Sequence, residues 1–542
     1  MESPQPWVDR IGGVVVLLVT ALVFSGAIGN DFVNYDDRGY VFDPRTLRGL
    51  TWDNVIEAFT GVILGNYHPL AWLSHMADVE VFGLDPRGHH AVNVVLHAAV
   101  AVVVLRLFRR LGLGVIAAGV LALAFSLHPL RVESVAWVSE RKDVLCALFY
   151  LLAVERWLAP DRSRALVFVL GLLALLSKPM AVSLPPVLVV VDVLLARRPW
   201  REALRDSAPL WVLAVLLAVI TLRVQQGAML GEALVPLSMR LQTAIAAQGA
   251  IYLPATVAPT CLHAPYLYPE AWSTATLLGS FVLVGGAVVV ALLVRRRAPL
   301  VTAGVLWYAI AMAPVAGVVG VGIAPAADRY SYLPAVGLGL AVAGLLLEAG
   351  VRQPRLRHGG LVVLAVWAAA LVPQTVTQIE VWRSTRNLWT QALTCTPDHP
   401  DVLGFMARED MAEGRWAEGR DRAARAVTLR PNMPGTWEQL GVFELLLDRH
   451  PQARDAFIES LSWQRNDQAV AHTGLGVALL ALGETAAGHR ELALGQGPLP
   501  RHGTELAGVL SRINQPELAR AVLARRASAD VGPQRAEPRG SP

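Results

Sequence analysis

The stretch Asn34-Tyr35-Asp36-Asp37-Arg38-Gly39-Tyr40 sets two carboxylates side by side just after a strongly apolar run. Adjacent like charges raise one another's pKa unless a cation, a metal or a substrate hydroxyl sits nearby. A carboxylate placed that way suits a general base that takes a proton from an acceptor hydroxyl, and Asp36 or Asp37 is the candidate. A second group of ionisable residues fills 128–143, HPLRVESVAWVSERKD, with His128, Arg131, Glu133, Glu140, Arg141, Lys142 and Asp143. Outside that segment stand His68 in Asn66-Tyr67-His68-Pro69-Leu70, Lys178 in Ser177-Lys178-Pro179, and Arg329 in Asp328-Arg329-Tyr330-Ser331-Tyr332-Leu333-Pro334. Arg131, Arg141, Lys142, Lys178 and Arg329 are the candidates for holding a phosphate, because a leaving phosphate needs cationic donors to spread its charge. His68, His128, Glu133 and Asp143 are expected to support them. A divalent metal held by Asp36, Asp37 and His68 is the less favoured alternative, and no cofactor is required.

The two lysines stand out from the composition. Of 47 basic residues only Lys142 and Lys178 are lysine, and both fall in short polar breaks between apolar runs. A compact ammonium and a planar guanidinium are not interchangeable in a tight site. The net charge of +4 is small, and no nucleic acid is expected as a partner. No P-loop or G-x-G-x-x-G sequence opens a helix after a strand, so a soluble nucleotide is not the expected donor.

The elements that must position these groups are membrane helices. The chain has 542 residues, 54% hydrophobic and only 17% charged. Its apolar runs reach the roughly 20 residues that cross a bilayer core. They lie near 11–28, 89–107, 112–127, 143–158, 164–177, 179–196, 208–224, 273–294, 299–317, 330–349 and 359–378, which predicts about eleven spans. Arginine clusters at 106–110, 156–164, 197–205, 295–297 and 352–357 recur at every second connection. Positive-inside logic puts them in the cytoplasm with the N-terminus, and puts 29–88, 128–143 and Lys178 outside. The apolar segment 240–258 is read as a re-entrant or interfacial helix on the outer side. The long first outer loop carries helical pieces at 52–60 and 67–81, with Trp72 and Phe82 expected at the interface.

After residue 380 short amphipathic helices take over. Trp437, Leu440, Gly441, Ala453 and Phe457 match the W-x2-L-G…A-x3-F pattern of a tetratricopeptide repeat, and Ala426, Pro431, Leu475 and Gly476 fit neighbouring units about 34 residues away. The expected organisation is a transmembrane domain over 1–379, a helical repeat domain over 380–527 and a disordered tail over 528–542. The fold class is therefore all-α, a polytopic membrane bundle followed by a short α-solenoid.

The Tyr-Asp-Asp of the first outer loop, His-Pro-Leu, HPLRVESVAWVSERKD, Ser-Lys-Pro and Arg-Tyr-Ser-Tyr-Leu-Pro, followed by repeats, resemble the transmembrane-and-tetratricopeptide-repeat O-mannosyltransferases and their bacterial relatives, within the GT-C glycosyltransferases. The resemblance implies a polyprenyl-phosphate sugar as donor and a first-loop acid as base on the non-cytoplasmic face. It also implies a plasma (inner) membrane location, a protein or glycan acceptor, and repeats that recruit the acceptor or a protein partner. Rival readings are a lipid-linked glycan polymerase or ligase, and a non-catalytic scaffold that only anchors the repeats.

Overall fold

A computed structural model describes residues 6–228, 235–319, 325–463, 468–499 and 502–530. Among these residues the structure is helical, with a single isolated bridge between Ile63 and Asn66. The chain divides into two compact units, Met1–Leu388 and Trp389–Pro542.

In the first unit six helices are long and apolar enough to cross a membrane: Trp7–Gly29, Pro86–Arg110, Trp200–Val224, Thr274–Val294, Pro334–Arg352 and Pro354–Val381. A seventh is possible if Val115–Ser126 and Pro129–Ala136, bent by 61°, count as one broken span. These helices make the chain a multi-pass membrane protein. The expected total of about eleven is not confirmed among the described residues, and two features account for the difference. Arg164–Ser177, Pro179–Leu194 and Pro299–Val315 are apolar but short. Arg141–Trp157 opens on the charged residues Arg141, Lys142 and Asp143.

Two features of this unit position the functional groups. The first loop is folded, not slack. Thr51 caps Trp52–Thr60 by accepting the Asn54 N–H, and Pro69–Phe82 starts on a proline, which has no N–H to leave unsatisfied. Trp72, expected at the interface, is instead only 1% exposed. Its indole donates to Thr46 Oγ1 at 2.7 Å, and the Arg45 guanidinium lies 4.6 Å above its ring. Phe82 stays exposed. The second feature is a close helix crossing. A Cβ on Gly304 would lie 2.4 Å from the Gly337 carbonyl oxygen and the Ala341 nitrogen, so only glycine lets Pro299–Met312 meet Pro334–Arg352 there. That contact steadies the turn carrying Arg329, immediately before Pro334.

Arginines of three of the arginine-rich connections pair with buried acids. Glu155 takes Arg106 and Arg110, while Asp206 takes Arg162, Arg164 and Arg198. The segment 240–258 forms Leu237–Ala247, a π turn and Leu253–Val257, too broken to span.

The second unit is a run of helical hairpins: Pro400–Ala412 with Trp416–Leu429, Pro434–Leu446 with His450–Ser462, Ala469–Ala481 with Thr485–Leu494, and Gly503–Arg512 with Pro516–Asp530. Phe457 is their central knob. Its ring fills the space that a side chain on Gly441 or Gly474 would need, which explains small residues at both places. The last helix runs to Asp530, and the rest of the tail expected to be disordered, 531–542, lies outside the described residues.

Phe457→Ala should destabilise this stack by about 3–5 kcal/mol, the usual cost of removing a buried aromatic. Hydrogen exchange on the full chain will check it. Protection should fall across 434–494 and stay unchanged in the membrane unit; equal protection in wild type and variant would refute the packing role.

Candidate functional site

The adjacent aspartates have different surroundings. Asp37 is fully buried at the start of a short helical turn, Asp37–Tyr40. Its Oδ2 accepts the Val33 N–H at 2.8 Å, and its Oδ1 accepts the Ser139 N–H at 3.0 Å and the Ser139 hydroxyl at 2.5 Å. Burial pushes its pKa up to about 6 against the pull of those donors. Asp37 therefore ties the acidic loop to the turn at 138–140, across more than a hundred residues of sequence. Asp36 is only partly buried, and its carboxylate has no hydrogen bond among the described residues. Burial raises its pKa, Glu140 adds to that, and Lys142 and Arg329 oppose it.

Behind Asp36 lies a cluster centred on a residue that the sequence reading did not single out. Glu140 is 2% exposed and meets three cations: Lys142 at 3.0 Å, Lys178 at 3.1 Å and the Nε of Arg329 at 3.2 Å. Burial would raise its pKa, but these three cations hold it well below the usual carboxylate range. Lys178 also reaches Asp143 at 2.5 Å, and Asp143 accepts the Ser134 hydroxyl at 3.0 Å. Arg329 forms an ion pair with Glu133, which also accepts its backbone N–H at 2.8 Å. So Lys142, Lys178, Arg329, Glu133 and Asp143 come together from three separate stretches of sequence.

Aromatic faces line the cluster. Trp137 stacks between Tyr35 and Trp382, with ring centroids 4.7 and 5.3 Å away. The Lys142 ammonium sits 5.6 Å from the Trp137 ring and 4.9 Å from that of Tyr40; Arg329 lies 5.4 Å from Trp137. Each such contact is worth about 0.5–2 kcal/mol. His68 is buried beside this group, 3.4 Å from the Tyr40 hydroxyl. Burial, with Lys142 and Lys178 nearby, drives its pKa well below normal, so it stays neutral.

Three expected participants lie elsewhere. Arg141 is mainly a brace. It pairs with Asp78, donates to Ser74 Oγ at 3.1 Å and Asn93 Oδ1 at 2.6 Å, and holds the His89 carbonyl at 2.6 Å. Four of its five N–H groups are engaged in this way. His128 caps the turn Pro129–Arg131: its Nδ1 accepts the Leu130 N–H at 3.1 Å and its Nε2 donates to the Thr256 carbonyl at 3.0 Å. Arg131 lies between the faces of Phe125 and Tyr332, 5.4 and 5.3 Å away, and donates once, to Ser331 Oγ at 2.7 Å. Its Nε and Nη1 are buried with no hydrogen-bond partner among the described residues. Arg131 and His128 line an apolar cavity of about 270 Å³ shared with Leu121, Leu338 and Trp367. Asp36, Lys142 and Lys178 are not part of that cavity.

Glu140 and Ser139 were hidden in the sequence because their meaning is a contact, not a spacing. Only the density of charge in 128–143 pointed to them. Expected outcomes for the two aspartates differ accordingly. Asp37→Asn turns an amide toward donors and should cost about 1–3 kcal/mol of stability, whereas Asp36→Asn should stay within about 0.5 kcal/mol of wild type. Thermal unfolding of both variants in detergent will test this, and equal losses would contradict the division of labour.

No family model matches the chain. Among curated proteins it is 34% identical over 156 residues to "Protein O-mannosyl-transferase TMTC1" of Mus musculus, covering 26% of this chain and 16% of that one. It is 30% identical over 174 residues to "Protein O-mannosyl-transferase TMTC4" of Homo sapiens (28% and 22%), and 32% identical over 143 residues to "Protein O-mannosyl-transferase tmtc2" of Xenopus laevis (24% and 17%). The match thus spans about a fifth of the length of these relatives. Over about a quarter of its own length, the chain is similar to the TMTC protein O-mannosyl-transferases.

Proposed function

We propose that the chain is a membrane glycosyltransferase of the GT-C type. It moves a sugar from a polyprenyl phosphate to a hydroxyl, of a protein Ser or Thr by analogy with the relatives' names, on the outer face of the plasma membrane. The observation that carries this reading is Asp36. Of the acids gathered here it alone has a carboxylate without a hydrogen bond among the described residues, and it lies under the charges of Lys142 and Arg329.

The reaction follows from that arrangement. The acceptor O–H gives its proton to the Asp36 carboxylate, and its oxygen attacks the anomeric carbon. The bond from that carbon to the phosphate oxygen breaks, with its electron pair leaving on the phosphate, so the anomeric configuration inverts. Lys142, Lys178 and Arg329 are already shared with Glu140, Glu133 and Asp143. They therefore form a preorganised polar surface more than a reserve of unpaired charge, and such surfaces stabilise developing charge without reorganising. Arg131 supports a lipid-linked donor on separate grounds. A buried guanidinium with two unpartnered nitrogens is costly, and an anion there would relieve it, while the apolar cavity beside it suits a hydrocarbon chain. The hairpin unit would act as tetratricopeptide repeats and present the acceptor.

The test is transfer by the full chain in vesicles, from polyprenyl-phosphate mannose to a Ser/Thr-rich peptide, read by mass spectrometry. Asp36→Asn should lower the rate by about 100-fold or more. A folded variant with wild-type activity would overturn the mechanism. Because the base works ionised and its pKa is raised, activity should be lost as pH falls. That loss should begin above the range of an ordinary carboxylate, and a pH–rate profile will locate the limb.

A further inference from the structure

Away from Asp36, the helix Pro69–Phe82 and the first turn of Pro86–Arg110 bring together His75, Asp78 and His89, all buried. Their ligand atoms lie within 4.8 Å of one another. We propose that these three residues bind a divalent transition ion of the zinc class, which clamps the helix Pro69–Phe82 onto the first turn of Pro86–Arg110.

Two hydrogen-bonding problems at this place support the assignment. His89 Nε2 lies 3.0 Å from the Gly83 carbonyl, which only accepts, so Nε2 carries the proton and Nδ1 presents a lone pair. That lone pair faces Asp78 Oδ2 at 3.3 Å, acceptor against acceptor. His75 is wholly buried, and both of its ring nitrogens lack any partner among the described residues. A second proton on His89 would settle the first problem and leave His75 as it is. An ion shared by the three side chains settles both.

The chemistry of the donor set fits. Two imidazoles and one carboxylate are a common ligand set for zinc and its neighbours, leaving a further position for water. A ligating histidine usually donates its other N–H to a carbonyl or carboxylate, as His89 does to Gly83. Arg141 supplies the outer support, pairing with Asp78 and holding the His89 carbonyl at 2.6 Å. A carboxylate has lone pairs for both a guanidinium and a metal, but sharing Asp78 with a cation weakens the site relative to a charge-balanced one. The ring of Tyr40 lies 5.8 Å from that of His75, and the Lys142 ammonium lies over Tyr40. The ion would thus stiffen the floor under the cluster without touching it.

The test uses the full chain, purified without a polyhistidine tag and loaded with zinc chloride. Elemental analysis should find about one tightly held zinc per chain. Zinc should raise the apparent unfolding midpoint by a few degrees, and a chelator should reverse the shift. His75→Phe and His89→Phe should each abolish the zinc and the shift, while His68→Phe should keep both. If His75→Phe does not fold, His75→Gln replaces it, with the same expectation. Wild-type protein that takes up no zinc, or zinc that survives both His75 and His89 substitutions, overturns the proposal. None of these readouts depends on sugar transfer.

Discussion

Glu140 is where the membrane unit is joined across its sequence. It is a buried carboxylate, and such a charge costs several kcal/mol to desolvate unless cations surround it. The three that do so come from the first turn of the helix that follows it, from the break at Lys178 between two helices, and from the turn before Pro334. Removing any one would leave charge buried without compensation. The helices around them must therefore be held at one register, and the Gly304 crossing and the stacked Trp137 do that holding.

The acidic loop is attached to this centre through Asp37. Its three hydrogen bonds to Val33 and Ser139 fasten the loop to the turn that carries Glu140. Asp36, one residue earlier, keeps a carboxylate with no hydrogen bond among the described residues, in the field of the cluster. One aspartate is spent on architecture, and its neighbour's carboxylate is not. The same contrast recurs at Arg141 and Lys142. Arg141 faces Asp78 and Asn93, while Lys142 faces the cluster.

Much of the membrane character was legible because it is written in composition. Long apolar runs, helix-starting prolines and arginine-rich connections need no partner to be recognised, and the period of about 34 residues in the C-terminal region maps onto the hairpins. The span total was less legible. Run length counts apolar residues, but several runs form helices too short to cross or begin on buried charge, as Arg141–Trp157 does. The segment 128–143 is expected among the outer connections. It is buried because its charges neutralise one another, which one-dimensional hydropathy cannot express.

By itself, the sequence determined that this is a helical membrane protein with a repeat-like C-terminal region, and that its ionisable residues gather in a few short stretches. Those properties follow from residue type and period, which are local. Only the tertiary structure decided which member of each charged pair is spent on the fold. Asp37, Arg141 and His128 are consumed by hydrogen bonds, and Asp36 and part of Arg131 are not. The physical reason is that hydrogen bonding and desolvation depend on neighbours that are distant in the chain, and no spacing rule carries that information.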